Sequence, residues 1–372
     1  YWERENYVNN TDFIIVGAGI VGYSTALSIR EKFPEARILI LERGLIPSGA
    51  SSKNAGFACF GSVTEIYDDI QQFGEETVWE TLALRWEGLQ QLQKRIGLEL
   101  DLQVNGSWDL ITQDELPLFE VAAPFLPAYN RRLEEITGEK DTFSIDEQVS
   151  ERFGFEKVQT SFFNRLEGQI HTGRMNQAFY QKIIASDIRV LFGAEVLGID
   201  DFSDHAVLET TIGSFTSKKV AVCTNGFAQQ LISEEVQPAR AQVLITKPIP
   251  ELSIKGTFHY QQGYYYFRNI DNRILFGGGR NLDKTGETTS EMEVTPLIMD
   301  SLEEILRTVI LPSTPFEIDY RWSGIMGVGS TKKPIVKAVS ATVYCGVRLG
   351  GMGIAIGSLI GEELAALITS QH

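Results

Sequence analysis

At 372 residues the chain exceeds the usual size of one hydrophobic core, so two closely joined domains are expected. A hydrophobic fraction of 43% fits a folded globular protein, and 33 basic against 49 acidic residues give a net charge of −16. That charge argues against nucleic acid as a partner, since such affinity comes mainly from neutralising phosphates, and solubility alone accounts for it. Three cysteines, Cys59, Cys223 and Cys345, stand far apart beside apolar or small residues. They read as buried thiols in a reducing, cytoplasmic compartment and not as a disulfide framework or a metal site. The apolar stretch 349–361 is too short and glycine-rich to span a bilayer, and nothing at the start has a signal-peptide pattern.

In chain order, residues 13–16 form an apolar run of strand length inside DFIIVGAGIVG (12–22), and Gly17, Gly19 and Gly22 follow at the GxGxxG spacing. Gly17 permits the tight turn, Gly19 lets a pyrophosphate approach the backbone, and Gly22 lets the helix pack on the strand. Helical spacing from Ile20 and Val21 to Lys32 ends at Phe33-Pro34, and RILIL (37–41) is a second strand ending at Glu42, placed to take ribose hydroxyls. Strand, turn, helix, strand and acid in this order predict dinucleotide binding.

Residues 47–62, PSGASSKNAGFACFGS, bracket Asn-Ala-Gly with aromatics and cysteine and read as a ligand-facing loop and helix start. Helical patterns follow over 75–97 and, broken by Pro117, Pro124 and Pro127, over 116–138, with a strand at 106–112 between them. An extended piece and an amphipathic helix occupy 165–184. Short extended pieces follow at 189–192, 195–199, 205–209 and 214–216, then an apolar strand over 219–224 ending in Asn225-Gly226. Strands at 238–246, 257–260, 263–269 and 273–279 imply an antiparallel sheet. Alternation there puts Tyr264 and Tyr266 on one face and Tyr265 on the other. A helix over 291–310, strands at 316–322 and 343–346, and an apolar helix over 354–369 complete the chain.

The stretches DFIIVGAGIVG, LERG (41–44), SGASSKNAG (48–56), EGQIHTGRMN (167–176), VAVCTNG (220–226), PARAQV (238–243), YYYFR (264–268) and GGMGIAIG (350–357) together resemble the glycine oxidase, D-amino acid oxidase and sarcosine oxidase superfamily. They recur in family order across nearly the whole chain. The resemblance implies a mixed α/β (α+β) fold, with a discontinuous Rossmann-like FAD-binding domain over 11–100, 168–235 and 323–372. A substrate domain with an antiparallel sheet would take 101–167 and 236–322.

By this likeness Gly17, Gly19 and Gly22 hold the pyrophosphate and Glu42 the adenosine ribose. Arg43 and the loop carrying Ser51, Ser52, Lys53, Asn54, Ala55 and Gly56 lie along the rest of the cofactor. Val196 contributes backbone bonds to the adenine, and the strand end at Thr224, Asn225 and Gly226 closes the domain beneath it. Gly350, Gly351, Met352, Gly353 and Ile354 put a helix N-terminus near the flavin pyrimidine, with Arg348 adding charge. No cysteine falls within 323–337, the segment to which some relatives attach flavin, so FAD is expected to be noncovalent.

Two departures concern the substrate. Glycine oxidase-like members grip the substrate carboxylate with an arginine where this chain has Met326 in RWSGIMG (321–327), and sarcosine oxidase-like members have a lysine where it has Ala355. Either the carboxylate is bound elsewhere, with Arg280 and Arg268 as the available replacements and Arg321 more distant, or the substrate has none; the likeness gives Tyr264 a place over the flavin, and Tyr266 shares its face. The strand over 274–279 also lacks the lysine that such enzymes use to promote reaction with oxygen, so oxygen and another electron acceptor both stay open. His171 and His259 are the plausible pocket histidines, each with a structural role as the plainer reading. The expected activity is oxidation of the C–N bond of a small amine or amino acid by hydride transfer to flavin N5. The alternatives are a 2-hydroxy acid or polyol dehydrogenase and a non-enzymatic flavin-binding redox or regulatory protein.

Overall fold

The computed structural model describes residues 1–2 and 11–370. The chain opens with β1 (Thr11–Val16), α1 (Ile20–Lys32) and β2 (Ile38–Glu42), then α2 (Ala50–Lys53), β3 (Phe57–Ala58), α3 (Val63–Phe73) and α4 (Glu75–Ile96). A first excursion holds β4 (Ser107–Thr112), α5 (Leu116–Ala122), α6 (Leu126–Thr137), β5 (Phe143–Ile145), α7 (Val149–Phe153) and β6 (Val158–Asn164). The chain returns through β7 (Gly168–Gln169), α8 (Thr172–Ala185), β8 (Arg189–Phe192), β9 (Val196–Asp201), β10 (Ala206–Thr210) and β11 (Gly213–Val222). A second excursion carries β12 (Gln237–Thr246), β13 (Thr257–Tyr260), β14 (Tyr265–Ile270), β15 (Arg273–Gly278), α9 (Pro296–Ile305) and β16 (Ile318–Val328). The last elements are β17 (Ile335–Ala338), β18 (Val343–Val347) and α10 (Gly353–Thr369).

One sheet runs β17-β18-β11-β1-β2-β8, with β10 paired to β11 and β9 to β10. Its centre is parallel, with Ile14 opposite both Val220 and Leu39, and the continuous apolar runs suit strands covered on both faces. The other large sheet runs β16-β12-β15-β14-β13-β4-β6-β5, so the two excursions build one sheet between them. It is antiparallel except where β13 meets β4 in parallel, a mixed pairing possible because those strands come from different excursions.

Several predicted elements change at their edges. The pieces at 214–216 and 219–224 are one strand, because β11 pairs with β10 along its first half and with β1 along its second. The strand at 316–322 extends to Val328 by pairing along β12. Tyr264 falls in the turn before β14, where Gln261 and Gln262 adopt left-handed backbone. The helix expected over 291–310 starts only at Pro296, a residue suited to a first turn. Pro117 and Pro127 likewise sit in the first turns of α5 and α6.

Helices α1, α4 and α10 pack with glycine at their contacts. A Cβ on Gly361 would lie 2.5 Å from the Ser24 Cβ and 2.7 Å from the Val21 carbonyl, and one on Gly88 would lie 2.1 Å from the Ala355 carbonyl. Ser24 Oγ donates to Ser358 Oγ across the α1–α10 seam at 3.2 Å. Among the described residues no helix is long and apolar enough to cross a membrane. Gly361→Val should separate α1 from α10 and cost on the order of 3 kcal/mol. Thermal unfolding measures this, and an unchanged Tm would show that the seam has slack.

Candidate active site

The β1–α1 turn converges on Glu42. Gly17 has φ of +106°, and a Cβ on Gly22 would stand 2.0 Å from the Gly17 carbonyl, so neither position admits a side chain. The buried Glu42 carboxylate accepts the Ala18 N–H at one oxygen and the Gly44 N–H at the other, both at 3.0 Å. Ser51 Oγ accepts from the Ile20 N–H at 3.0 Å, which brings α2 against the start of α1. Neither α1 nor α10 has a side-chain N-cap of its own. The first turns of both helices line one cavity of about 600 Å³, where their N–H groups and dipoles favour an anion.

The structure brings most of the predicted cofactor residues to this cavity. From the first β-α-β unit these are Gly17, Gly19, Ile20, Val21, Glu42 and Arg43, and from α2 and its loop Ser51, Lys53, Asn54, Ala55 and Gly56. Val196, Thr224 and Asn225 join from the returning strands, and Gly350 to Ile354 from the last turn. The buried Thr224 Oγ1 has no partner, and the Arg43 guanidinium lies 3.8 Å from the Phe227 ring centroid.

Four predicted residues do not line it. Gly22 acts through helix packing, and Gly226 sits where a Cβ would fall 2.5 Å from the Met326 carbonyl. The Ser52 hydroxyl is exposed and donates to the Gly49 carbonyl at 3.1 Å. Arg348, expected to add charge near the cofactor, is turned away: its guanidinium pairs with Glu235 at 3.0 Å and donates to the Lys333 carbonyl at 3.1 Å.

The second sheet supplies the opposite wall. His259, Tyr266, Gly277, Val243 and Trp322 stand in one cross-strand row. Because Gly277 has no side chain, the Tyr266 ring lies directly over it, 2.8 Å from where a Cβ would be. Phe57 stacks on His259 with centroids 5.5 Å apart and meets Tyr266 edge-on at 5.6 Å. Tyr264 lines the cavity at 50% exposure while Tyr265 turns into the core at 2%, as strand alternation predicts. Burial pushes the Tyr266 phenol up to about 12 and lowers the His259 imidazole below its usual range.

Residues 12–367 match the family described as DAO, FAD dependent oxidoreductase. The chain belongs to this family. Similar proteins include gamma-glutamylputrescine oxidoreductase of Escherichia coli, 24% identical over 96% of this chain and 83% of the relative. The glycine oxidase of Geobacillus kaustophilus is 24% identical over 72% of this chain and 69% of its own length. Among solved structures, iminodiacetate oxidase from Chelativorans superposes with a TM-score of 0.77 at 17% identity, covering 97% of this chain and 96% of the other. L-proline dehydrogenase from P. horikoshii gives 0.75 at 18%, with coverages of 97% and 94%.

The protein is therefore an FAD-dependent oxidoreductase, and its own residues fit that cofactor. Two helix N-termini would meet the pyrophosphate and the flavin pyrimidine and Glu42 the ribose, and Thr224, in the same lining, has a buried hydroxyl without a partner.

At the two positions where the resemblance implies a carboxylate anchor, Met326 lines the cavity with its sulfur 3.8 Å from a Cβ built on Gly351, and Ala355 is buried in α10. Of the candidate replacements only Arg280 lines the cavity; Arg268 is buried and donates to the Ala55 carbonyl, and Arg321 pairs with Glu303. His171 is the N-cap of α8, as its plainer reading held.

Sequence reasoning missed Glu65 and Lys332, which line the cavity from α3 and from the β16–β17 loop. Burial pushes Glu65 up, but Arg85 and Lys332 outweigh it and hold the carboxyl at about 2. The Ser62-x-x-Glu65 pattern, in which Ser62 Oγ accepts from Glu65 N–H, signals the start of α3.

Glu167 was also missed. It is 1% exposed, and its Oε1 accepts the N–H groups of Phe60 at 2.6 Å and Gly61 at 2.8 Å. Burial raises its carboxyl to about 7, against those two bonds.

Two outcomes follow from these environments. Glu42→Ala strips two amides of their acceptor, and the Kd for FAD in apoprotein fluorescence titrations should rise about tenfold or more. Between pH 4.5 and about 7 the folded state keeps a proton on Glu167 that the unfolded chain releases, so native stability falls across that window by up to about 3 kcal/mol. Glu167→Gln should lack this loss. Denaturant titrations at pH 5 and pH 8 compare the two, and an equal stability difference at both would refute the assignment.

Proposed function

We propose that this FAD-dependent oxidoreductase oxidises the C–N bond of a small amine or amino acid, giving an imine that water hydrolyses. The observation that supports this most directly is the aromatic wall of Phe57, His259 and Tyr266, which shares one cavity with the dinucleotide-binding turns. Bound FAD supplies the two-electron acceptor for hydride removal from a carbon beside nitrogen. The protein's part is to pack the alkyl portion of the substrate against Tyr266 and Phe57, to exclude water, and to accept a proton. An ammonium must lose that proton before its carbon yields a hydride, and His259, kept neutral by burial, is suited to take it. Noncovalent FAD agrees with the thiols that line the cavity: burial pushes Cys223 up to about 12 and Cys59 well above its usual range, so neither is a ready nucleophile. The amine and amino acid names of two relatives point the same way.

Anaerobic bleaching of the flavin by a panel of amines, amino acids, hydroxy acids and polyols is the test. Amines or amino acids should bleach it. Bleaching by hydroxy acids or polyols alone would replace this function with alcohol oxidation, and none by any compound would leave a binding protein. With the active compound at saturation, bleaching should slow in acid on a limb lying below the ordinary imidazole range, and His259→Gln should be about a hundredfold slower and lose that limb. An unchanged profile would remove His259 from proton transfer.

A further inference from the structure

We propose that the outer end of the cavity, formed by the turn 280–284, is an anion subsite in which Arg280 and Lys284 bind a carboxylate held apart from the amine-bearing carbon by an alkyl spacer. This deepens the amine oxidation proposed above and rests on it.

Both side chains line the cavity, and among the described residues neither has a carboxylate within ion-pair distance. In a chain of net charge −16 that pairing is conspicuous by its absence, since acids abound. The acids of the same segment are engaged elsewhere: Asp283 accepts from the Gly286 N–H at 2.8 Å, and Glu287 is held by Arg240 and Gln242. Arg280 Nε is buried without any partner, and its terminal nitrogen reaches only the Thr288 hydroxyl, at 3.4 Å. A guanidinium that lines the cavity with its terminal nitrogens unpaired by any described acid suits a carboxylate, which it can grip at two points, with Lys284 adding a point charge four residues on.

The rest of the cavity explains why the carboxylate is remote. At the turn before α10 the wall offers Met326 and Ala355, which hold no charge. The sheet face presents Val243 and the Tyr266 ring, a surface for methylene groups. A carboxylate beside Met326 and Ala355 would meet no charge there, whereas one several carbons away reaches Arg280 and Lys284; of the other lining cations, Lys332 is paired with Glu65 and Asp69 and Arg43 lies over the Phe227 ring. Compounds of the ω-amino acid type have that layout.

The test uses the FAD-loaded protein and two independent readouts. The first is perturbation of the flavin visible spectrum by acetate, butanoate and hexanoate. Affinity should rise with chain length, fall about tenfold or more for hexanoate in Arg280→Gln, recover in part in Arg280→Lys, and fall less in Lys284→Gln. Equal affinity for all three acids, or for hexanoate in the native protein and Arg280→Gln at matched FAD content and Tm, would overturn the subsite. The second is anaerobic bleaching by glycine, 4-aminobutanoate, 6-aminohexanoate and hexylamine. The longer amino acids should act at lower concentration than either glycine or hexylamine, and parity with glycine would overturn the spacer. Carboxylate binding as expected with no bleaching by any amine would uphold the subsite and refute amine oxidation instead.

Discussion

Close approach of α1 and α10 is the constraint on which the rest of the molecule depends. Val21, Ser24 and Thr25 of α1 face Gly361, and Ile20 faces Gly357, so backbones some 330 residues apart in sequence pack with no side chain between them on one partner. Each helix-interior glycine costs about 1 kcal/mol in chain entropy relative to alanine, offset by the dense contacts that it allows. The arrangement sends two helix N-termini into one space. A single β-α-β unit would hold only part of a dinucleotide in this way, and α10, seventeen residues long, offers the second N-terminus.

Polar bonds join that half to the sheet, beside the apolar contacts that Ala55 and Phe57 make with it. The Trp322 indole donates to the Lys53 carbonyl at 2.9 Å, Arg268 donates to the Ala55 carbonyl, and Glu167 accepts from Phe60 and Gly61. Asn54 accepts from the Gly56 N–H at 2.8 Å and from the Thr172 hydroxyl at 2.9 Å. Burying Arg268 is costly enough to lower its guanidinium to about 10. Such bonds fix position more sharply than interchangeable methyl contacts do, which suits a segment with a cofactor on one side and a reacting molecule on the other.

Much of the cofactor half was legible because its signals are local. The Gly17–Gly22 spacing, the apolar strands and the acid at Glu42 each declare themselves within a few residues, and α1 occupies the predicted span of 20–32. The rest of the cavity was less legible because its groups meet only in three dimensions. Glu65 and Lys332 are 267 positions apart, and nothing in KKP at 332–334 announces that one of its lysines reaches the cavity. Arg348 misled for the same reason: the glycine-rich neighbourhood is recognisable, but Glu235, which turns the side chain away, lies 113 positions upstream. Tyr264 and Tyr266 were placed correctly because period-two alternation survives even where the strand gives way to a turn.

The segment from Lys53 to Gly61 has no slack to share between its two neighbours. Substitutions on the sheet face, at Tyr266 or His259, reshape what is admitted, and they do so from strands that carry none of the dinucleotide-binding turns. Any change of backbone path between Asn54 and Gly56 alters both at once. On this scaffold the sheet face is therefore the part that can vary with least disturbance, and this short segment the part that can vary least.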